Sequence, residues 1–461
     1  METSNFPTSH SQENGGISHQ IIRIPEEADQ EWITSVEKKI QEIPKLLSKS
    51  AGGSSCCIFR VPQSLVEVNT KAYQPHIVSM GPYHHGRDNL NMIQEHKWRF
   101  LGAVLARTQK HGVGLSDLFK AIASMEKKIR DCYSETIEFS SHDLIEMMVL
   151  DGCFVIELFC IVGRLVQINL DDPLFNMSWI LYFLMRDFLR LENQIPFFVL
   201  QTLFGLSFSD SRKENIPSLT ELTLGFFDYV VQRPSEVIDS CKNLNGKHLL
   251  DFFRLTFVSK LQDHQVPRKI SPFLHLIQSA NKLHLAGIKF KPRETETFLD
   301  IKFSRGILEI PPLTIDDFTS SFLLNCVAYE QCCSHCSKHI TTYVTFMSCL
   351  INSPVDAGYL SDHRIIENYF GTDMEVAKFF NNIGKDIAFD IQRSYLAKLF
   401  EDVNEYYRNN WHVRWAGFKY TYFNTPWSFM SALAALVLLI LTIIQAFFAV
   451  YGYVHPLGNG H

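Results

Sequence analysis

Five side chains in this sequence could do acid–base work: Asp151, Asp187, Glu192, His84 and His85. Carboxylates that converge with an imidazole in one pocket, with shifted proton affinities, make a general acid and base. His84 and His85 are adjacent and could also ligate a metal. A second ligand-rich stretch, Cys332-Cys333-Ser334-His335-Cys336, has His339 close by. Zinc needs three or four ligands in suitable geometry, and this CxxC has no second CxxC or HxxxH to complete it. Redox use of the pair would need a βαβ setting that the pattern lacks. No nucleophile or phosphate loop accompanies Asp187 and Glu192. A buried ion-pair and capping network is therefore the simpler reading. On the residues alone no catalytic, cofactor-binding or metal site is assigned, no cofactor is expected and the chain is read as a non-enzyme. A membrane-tethered hydrolase or metal-assisted enzyme is the alternative.

These residues must be positioned by helices. Asp143–Val166 is strongly apolar yet carries Asp143, Glu146, Asp151, Glu157 and Arg164. Each charge would cost ~2.5–3.5 kcal/mol at mid-bilayer, so the stretch is read as a core helix and not a span. Asp151 within it needs a partner, most simply an Arg from the next helix, Trp179–Leu191, which holds Arg186 and Arg190. Helical spacing also predicts Asn91–Lys110, Leu115–Cys132, Leu219–Tyr229, Lys247–Leu261, Thr341–Ile351, Arg364–Tyr369, Asp373–Ile383 and Arg393–Tyr407. Asp316-Asp317 can cap a helix that starts near Phe318. Around His84, Ile58–Val61 and His76–Ser79 read as short extended stretches between Pro62, Pro75 and the Gly81-Pro82 turn. Ile288–Lys291, Phe298–Phe303 and Ile307–Ile310 read as a small three-stranded meander.

Composition narrows the classes. The 461 residues are 46% hydrophobic and 20% charged, enough for a packed core. There are 36 phenylalanines; part of that excess must be buried, and the rest can line a groove. A net charge of −6 without a basic domain gives no footprint for nucleic acid. Eleven scattered cysteines point to reduced thiols in a cytosolic compartment.

From Trp427 to Val450 no residue is charged. At ~1.5 Å per residue this helix covers ~36 Å, enough to cross a ~30 Å hydrocarbon core. The lipid bilayer is therefore the expected partner of this segment. Arg408, Arg414 and Lys419 precede it, and no Lys or Arg follows. The positive-inside rule then places the N-terminal body in the cytosol. The N-terminus lacks a secretory pattern, so a tail-anchored, single-pass protein is expected. The organisation read from these features is a disordered tail over 1–27, a mostly helical domain over 28–410 and a basic aromatic collar over 411–426. The transmembrane helix over 427–450 and a short exposed tail over 451–461 complete it.

Several motifs carry a resemblance. They are AYQPHIVSMGPYHHG at Ala72, DGCFVIELF at Asp151, LENQIPFFVLQTLF at Leu191, HLLDFFR at His248 and AGIKFK at Ala286. LDIKF at Leu299, IPPLTIDDFT at Ile310, AYEQC at Ala328, ITTYVTFMSCLINS at Ile340 and YFNTPWSFMSALAA at Tyr422 complete the set. Together they resemble the plant domain-of-unknown-function 247 family, over nearly the whole chain. Members often carry acidic residues where this chain has Ser320 and Ser348, and Cys333, His335 and Cys336 look individual to it. The resemblance implies a mainly α fold, a large multi-helix body with one C-terminal membrane span. The plasma membrane is the expected location. It implies no established catalysis. Some grass members are implicated in self-incompatibility as pollen-side recognition components. A membrane-anchored component that binds unidentified protein partners is the function expected.

Overall fold

A helix that is apolar on all sides can only sit at the centre of a body or in a membrane. Ser141–Val162 takes the first course. Ser140 caps it, its hydroxyl accepting the Asp143 N–H at 3.2 Å, and every residue from Met147 to Cys160 is buried. Four helices pack on it: Asn91–Thr108, Leu115–Ala123, Phe197–Ser207 and Leu219–Val231. Phe197–Ser207 comes closest at Gly152, where a Cβ would stand 2.4 Å from Leu203 Cδ1.

The computed structural model describes residues 26–42, 44–167, 171–208, 216–231, 233, 235–261, 274–408 and 426–454. Glu26–Gln41 is a helix in an N-terminal unit that ends at Lys45. The chain from Leu46 onward forms a second unit. Of the expected tail over 1–27, residues 1–25 lie outside the described residues, and Glu26 and Glu27 begin the helix. Residues 411–425 of the collar over 411–426 and residues 455–461 also lie outside them.

The second unit is mainly helical, as the periodicity predicts. Asp317–Cys332 packs on His339–Leu350 and on Leu249–Val258, and Pro354–Asp362 packs on Asp373–Ile383. The expected cap is present, with Asp316 accepting the Thr319 N–H at 2.7 Å. Leu115–Cys132 is not one helix; it breaks after Ala123 and resumes at Glu126–Arg130. Phenylalanine joins the helices. Phe159 meets Phe226 at 4.7 Å between ring centroids, Phe226 meets Phe227 at 5.2 Å, and Phe227 meets Phe253 at 5.0 Å.

The β patch forms where expected but is not a meander. Strands β1 (Lys289–Pro292), β2 (Lys302–Ser304) and β3 (Ile307–Ile310) lie in the order β1-β3-β2, with β1 parallel to β3. Only β2 and β3 form a hairpin, with Ser304 opposite Ile307. Its two loop residues, Arg305 at φ 50° and Gly306 at φ 76°, have the left-handed signs of a type I′ turn. The nine residues before β2 carry the chain across, and β3 then fills the space beside β1.

A second small sheet pairs β4 (Leu313–Ile315) in parallel with β5 (Ile366–Asn368). This corrects the expected helix over Arg364–Tyr369. The preceding helix stops because Arg364 adopts φ 57° and the Ile365 N–H reaches back to the Leu360 carbonyl at 3.0 Å. That six-to-one bond is a helix-ending motif, and the chain leaves it extended.

Pro426–Val454 is one helix of 29 residues. Its stretch Met430–Tyr451 has mean hydropathy 2.8, and none of it is buried in the protein. Among the described residues it is the one helix long and apolar enough to cross a membrane.

The aromatic chain sets a stability test. Phe226 is fully buried. Phe226→Ala should lower unfolding free energy by ~3–5 kcal/mol. Tyr369→Ala, at a position 73% exposed, should change it by less than ~0.5 kcal/mol. Denaturant titration of the two variants checks the contrast.

Candidate functional site

Ile77 to His84 is buried without a break, yet it has no helix or ladder of its own. Pro75 bars a helix, and among the described residues no strand pairs with the segment to receive its N–H groups. Side chains receive them. Asp187 accepts the N–H groups of His76, Ile77 and Val78 at 2.9, 2.8 and 3.2 Å. Asn193 Oδ1 accepts Met80 N–H at 2.7 Å, and Asp151 Oδ2 accepts Gly81 N–H at 2.7 Å. Asn193 Nδ2 donates back to the Val78 carbonyl at 3.1 Å, and Lys97 Nζ donates to the Ser79 carbonyl. Gly81 sits at φ 70°, and a Cβ there would lie 2.6 Å from the Gln194 carbonyl oxygen. The Gly81-Pro82 turn therefore tolerates only glycine.

Each carboxylate in this network also has a cation. Asp187 pairs with Arg190 at 2.9 Å; both side chains are fully buried. Arg190 also donates to the Lys71 carbonyl at 2.9 Å and meets His76 Nδ1 at 2.6 Å. Burial alone would push the Asp187 carboxyl up. The bonds from His76, the Arg190 charge and the backbone N–H groups outweigh it and hold the pKa below the ordinary value. Asp151 does not find an arginine. Its partner is Lys97 at 2.6 Å, from the helix that packs directly on its own. Arg190 is unavailable because its i,i+3 spacing commits it to Asp187.

Glu192 accepts Val61 N–H at 2.8 Å and pairs with Arg60 at 3.0 Å. His84 Nε2 lies 3.3 Å from Glu192, and burial lowers the imidazole's pKa against the pull of that carboxylate. Burial raises the Glu192 pKa, but His84, Val61 N–H and Arg60 together bring it below the usual range. Of the five expected residues, the structure thus joins His84 to Glu192, and sets Asp151 and Asp187 on one segment. His85 stands apart, exposed and edge-on to Phe139 at 5.6 Å.

A second buried network joins two other motifs. Arg254 bridges Asp251 and Glu330, each at 3.1 Å. Glu330 also accepts Thr341 N–H at 2.7 Å and Ile340 N–H at 3.2 Å. His248 donates Nε2–H to the Cys57 carbonyl at 2.9 Å and caps its helix by accepting Asp251 N–H. Burial opposes the Arg254 charge, but Glu330 and Asp251 outweigh it and hold the guanidinium's pKa above its ordinary value. Cys332 ends its helix, Cys333 is buried behind it, and Cys336 Sγ donates to the Cys333 carbonyl at 3.4 Å. Among the described residues, no three His, Cys, Asp or Glu side chains are grouped to hold a metal.

A cavity of about 650 Å³ lies elsewhere, next to the β patch. Phe253, Phe257, Phe298, Phe318 and Phe322 line it, together with Arg233. None of the five expected residues lines it. The phenylalanine count signals a groove of this kind. Arg233 has no local motif to reveal it, because its role depends on elements brought together by folding.

The chain belongs to the plant domain-of-unknown-function 247 family, described as plant proteins of unknown function, whose model matches residues 58–441. It is 42% identical over 441 residues to UPF0481 protein At3g47200 of Arabidopsis thaliana, covering 91% of each chain. It is 25% identical over 511 residues to putative UPF0481 protein At3g02645 of the same plant, covering 91% of this chain and 94% of that one. No solved structure matches the chain.

Asp187 gives a test with a sign. Its pKa is lowered on folding, so its contribution is complete above the ordinary carboxylate value of about 4 and is lost as pH falls through its lower folded value. Asp187→Asn should cost ~3–5 kcal/mol at neutral pH by leaving Arg190 buried without its counter-charge. The variant should also show a weaker fall in stability on acidification. Denaturant unfolding across pH, with hydrogen exchange at the amides of His76, Ile77 and Val78, measures both effects.

Proposed function

We propose that the protein is a membrane-anchored, non-catalytic component that recognises protein partners. The observation that carries the anchoring is the Met430–Tyr451 helix, whose apolar surface is left uncovered by the rest of the chain. In water that surface would drive aggregation; in a bilayer it is satisfied. The helix lies with the body in the cytosol, on the argument from Arg408, Arg414 and Lys419, and the plasma membrane is the expected site.

The recognition reading draws on how the acidic groups are spent. Asp151, Asp187 and Glu192 hold backbone and cations inside the body. Facing outward are large side chains such as Trp98, Trp179, Tyr369 and Met374. Aromatic residues of this kind anchor protein interfaces.

Two measurements test the reading. Pull-down of the intact protein from detergent-solubilised membranes should recover defined partners, and recovery of none with the body still folded would sink the recognition role. An acceptor sequence engineered after Val450 should receive glycan, while Asn176-Met177-Ser178 should stay unmodified. Glycan on Asn176 would reverse the orientation.

A further inference from the structure

We propose that the cavity beside the β patch binds a small organic anion with an apolar body, its carboxylate held by Arg233. The Arg233 side chain is 7% exposed. Its guanidinium lies over two rings, 5.4 Å from the Phe253 centroid and 5.5 Å from Phe257. Such contacts are made to the ring faces and supply no hydrogen-bond acceptor. One nitrogen is used, Nη1 donating to Thr256 Oγ1 at 2.7 Å. Nε and Nη2 are both cut off from solvent and have no hydrogen-bond partner among the described residues. These two form one edge of the fork, the edge that takes a carboxylate with two parallel bonds.

The carboxylate nearest to that edge does not fill the role. Asp228 Oδ1 stands 4.0 Å from Nε, beyond hydrogen-bond reach, and already accepts the Arg233 backbone N–H at 2.7 Å. Two other buried arginines differ. Arg190 and Arg254 each hydrogen-bond a carboxylate at 2.9 to 3.1 Å. In the same cavity Arg293 is taken by Asp300 at 3.0 Å and Glu309 at 3.2 Å. A buried cation with unused donors is costly unless an anion joins it. Burial accordingly depresses the Arg233 pKa, with Asp228 among the groups opposing that fall.

The walls decide what kind of anion. Five phenylalanines line the space, and its volume lies within the range of small-molecule sites. Acidic side chains also line it. Glu296 is committed to Lys260 at 2.9 Å and Asp316 to the Thr319 N–H at 2.7 Å, whereas Glu294 is exposed. A bare inorganic anion would leave the rings wet, and a neutral apolar molecule would leave Nε and Nη2 unanswered. A carboxylate on an aromatic or aliphatic body satisfies both.

The full chain in lipid nanodiscs, with empty nanodiscs as the blank, is titrated by calorimetry with 4-phenylbutyrate, its alcohol 4-phenylbutan-1-ol, and inorganic phosphate. The acid should bind more tightly than the alcohol by about tenfold or more, and phosphate should show no saturable binding. Arg233→Gln should bring acid and alcohol to equal affinity. Thr319→Phe, which narrows the cavity and keeps Arg233, should weaken binding of both by about tenfold or more. Circular dichroism confirms that each variant is folded; if Arg233→Gln does not fold, Thr319→Phe decides the location and the acid–alcohol contrast decides the charge. Equal affinities in the unaltered protein, an acid preference that survives Arg233→Gln, undiminished binding to Thr319→Phe, saturable phosphate binding as tight as the acid's, or no saturable binding of the acid would each overturn the proposal. None of these readouts depends on the anchor or on protein partners.

Discussion

Backbone that is buried must have its N–H and C=O groups answered, and a segment without helix or ladder cannot answer its own. Here that demand falls on the stretch from His76 to Gly81, at the centre of a helical body. Three side chains, Asp187, Asn193 and Asp151, meet five of its N–H groups. Those carboxylates then need cations, which brings in Arg190 and Lys97. Lys97 comes from Asn91–Thr108, which packs on the helix that carries Asp151, so satisfying one stretch of backbone also ties two helices together. Removing a single member would strand a charge or a donor in a dry interior.

The same logic links motifs far apart in sequence. Asn325 accepts the Leu191 N–H and donates to the Ala72 carbonyl, each at 2.9 Å. Gln194 donates to the Phe188 and Arg190 carbonyls at 2.7 Å and accepts the Leu250 N–H at 3.2 Å. The stretches that carry the family resemblance thus meet one another inside the molecule. A shared need for internal hydrogen bonds is enough to require those residue types at those positions.

Much of this architecture is legible in the residues. The charges within Asp143–Val166 separate a core helix from a span, and Asp316 marks a helix start. The polar junction around Asp187, Glu192, Asn193 and Gln194 is also readable as an ion-pair and capping network. Partner identity is not readable. Nothing local in the sequence tells Lys97 from Arg190 as the mate of Asp151, because that choice depends on which helix packs alongside. Arg364–Tyr369 has apolar spacing that suits a helix, but the backbone turn at Arg364 and the free edge of β4 draw it into a strand. The β1–β3 pairing escaped for a similar reason: alternation marks strands and says nothing of their order. Arg233 is the extreme case, a single arginine whose isolation exists only after Phe253 and Phe257 close round it.

The threading of the His76–Gly81 stretch bears on how the chain is made. Its acceptors lie 70 to 113 residues further on, and Ala72 waits for Asn325, 253 residues later. At ~5–20 residues per second, synthesis leaves that early stretch without its partners for roughly 4–23 s, and the Ala72 carbonyl without Asn325 for roughly 13–50 s. During that interval its apolar side chains and unpaired amides are open to non-native contacts. The His76–Gly81 stretch therefore cannot be capped until residue 193 has left the ribosome, nor the Ala72 carbonyl until residue 325 has, and the apolar helix emerges later still. Maturation of this protein is in that sense a matter of order in time, with the middle of the molecule waiting on segments made later.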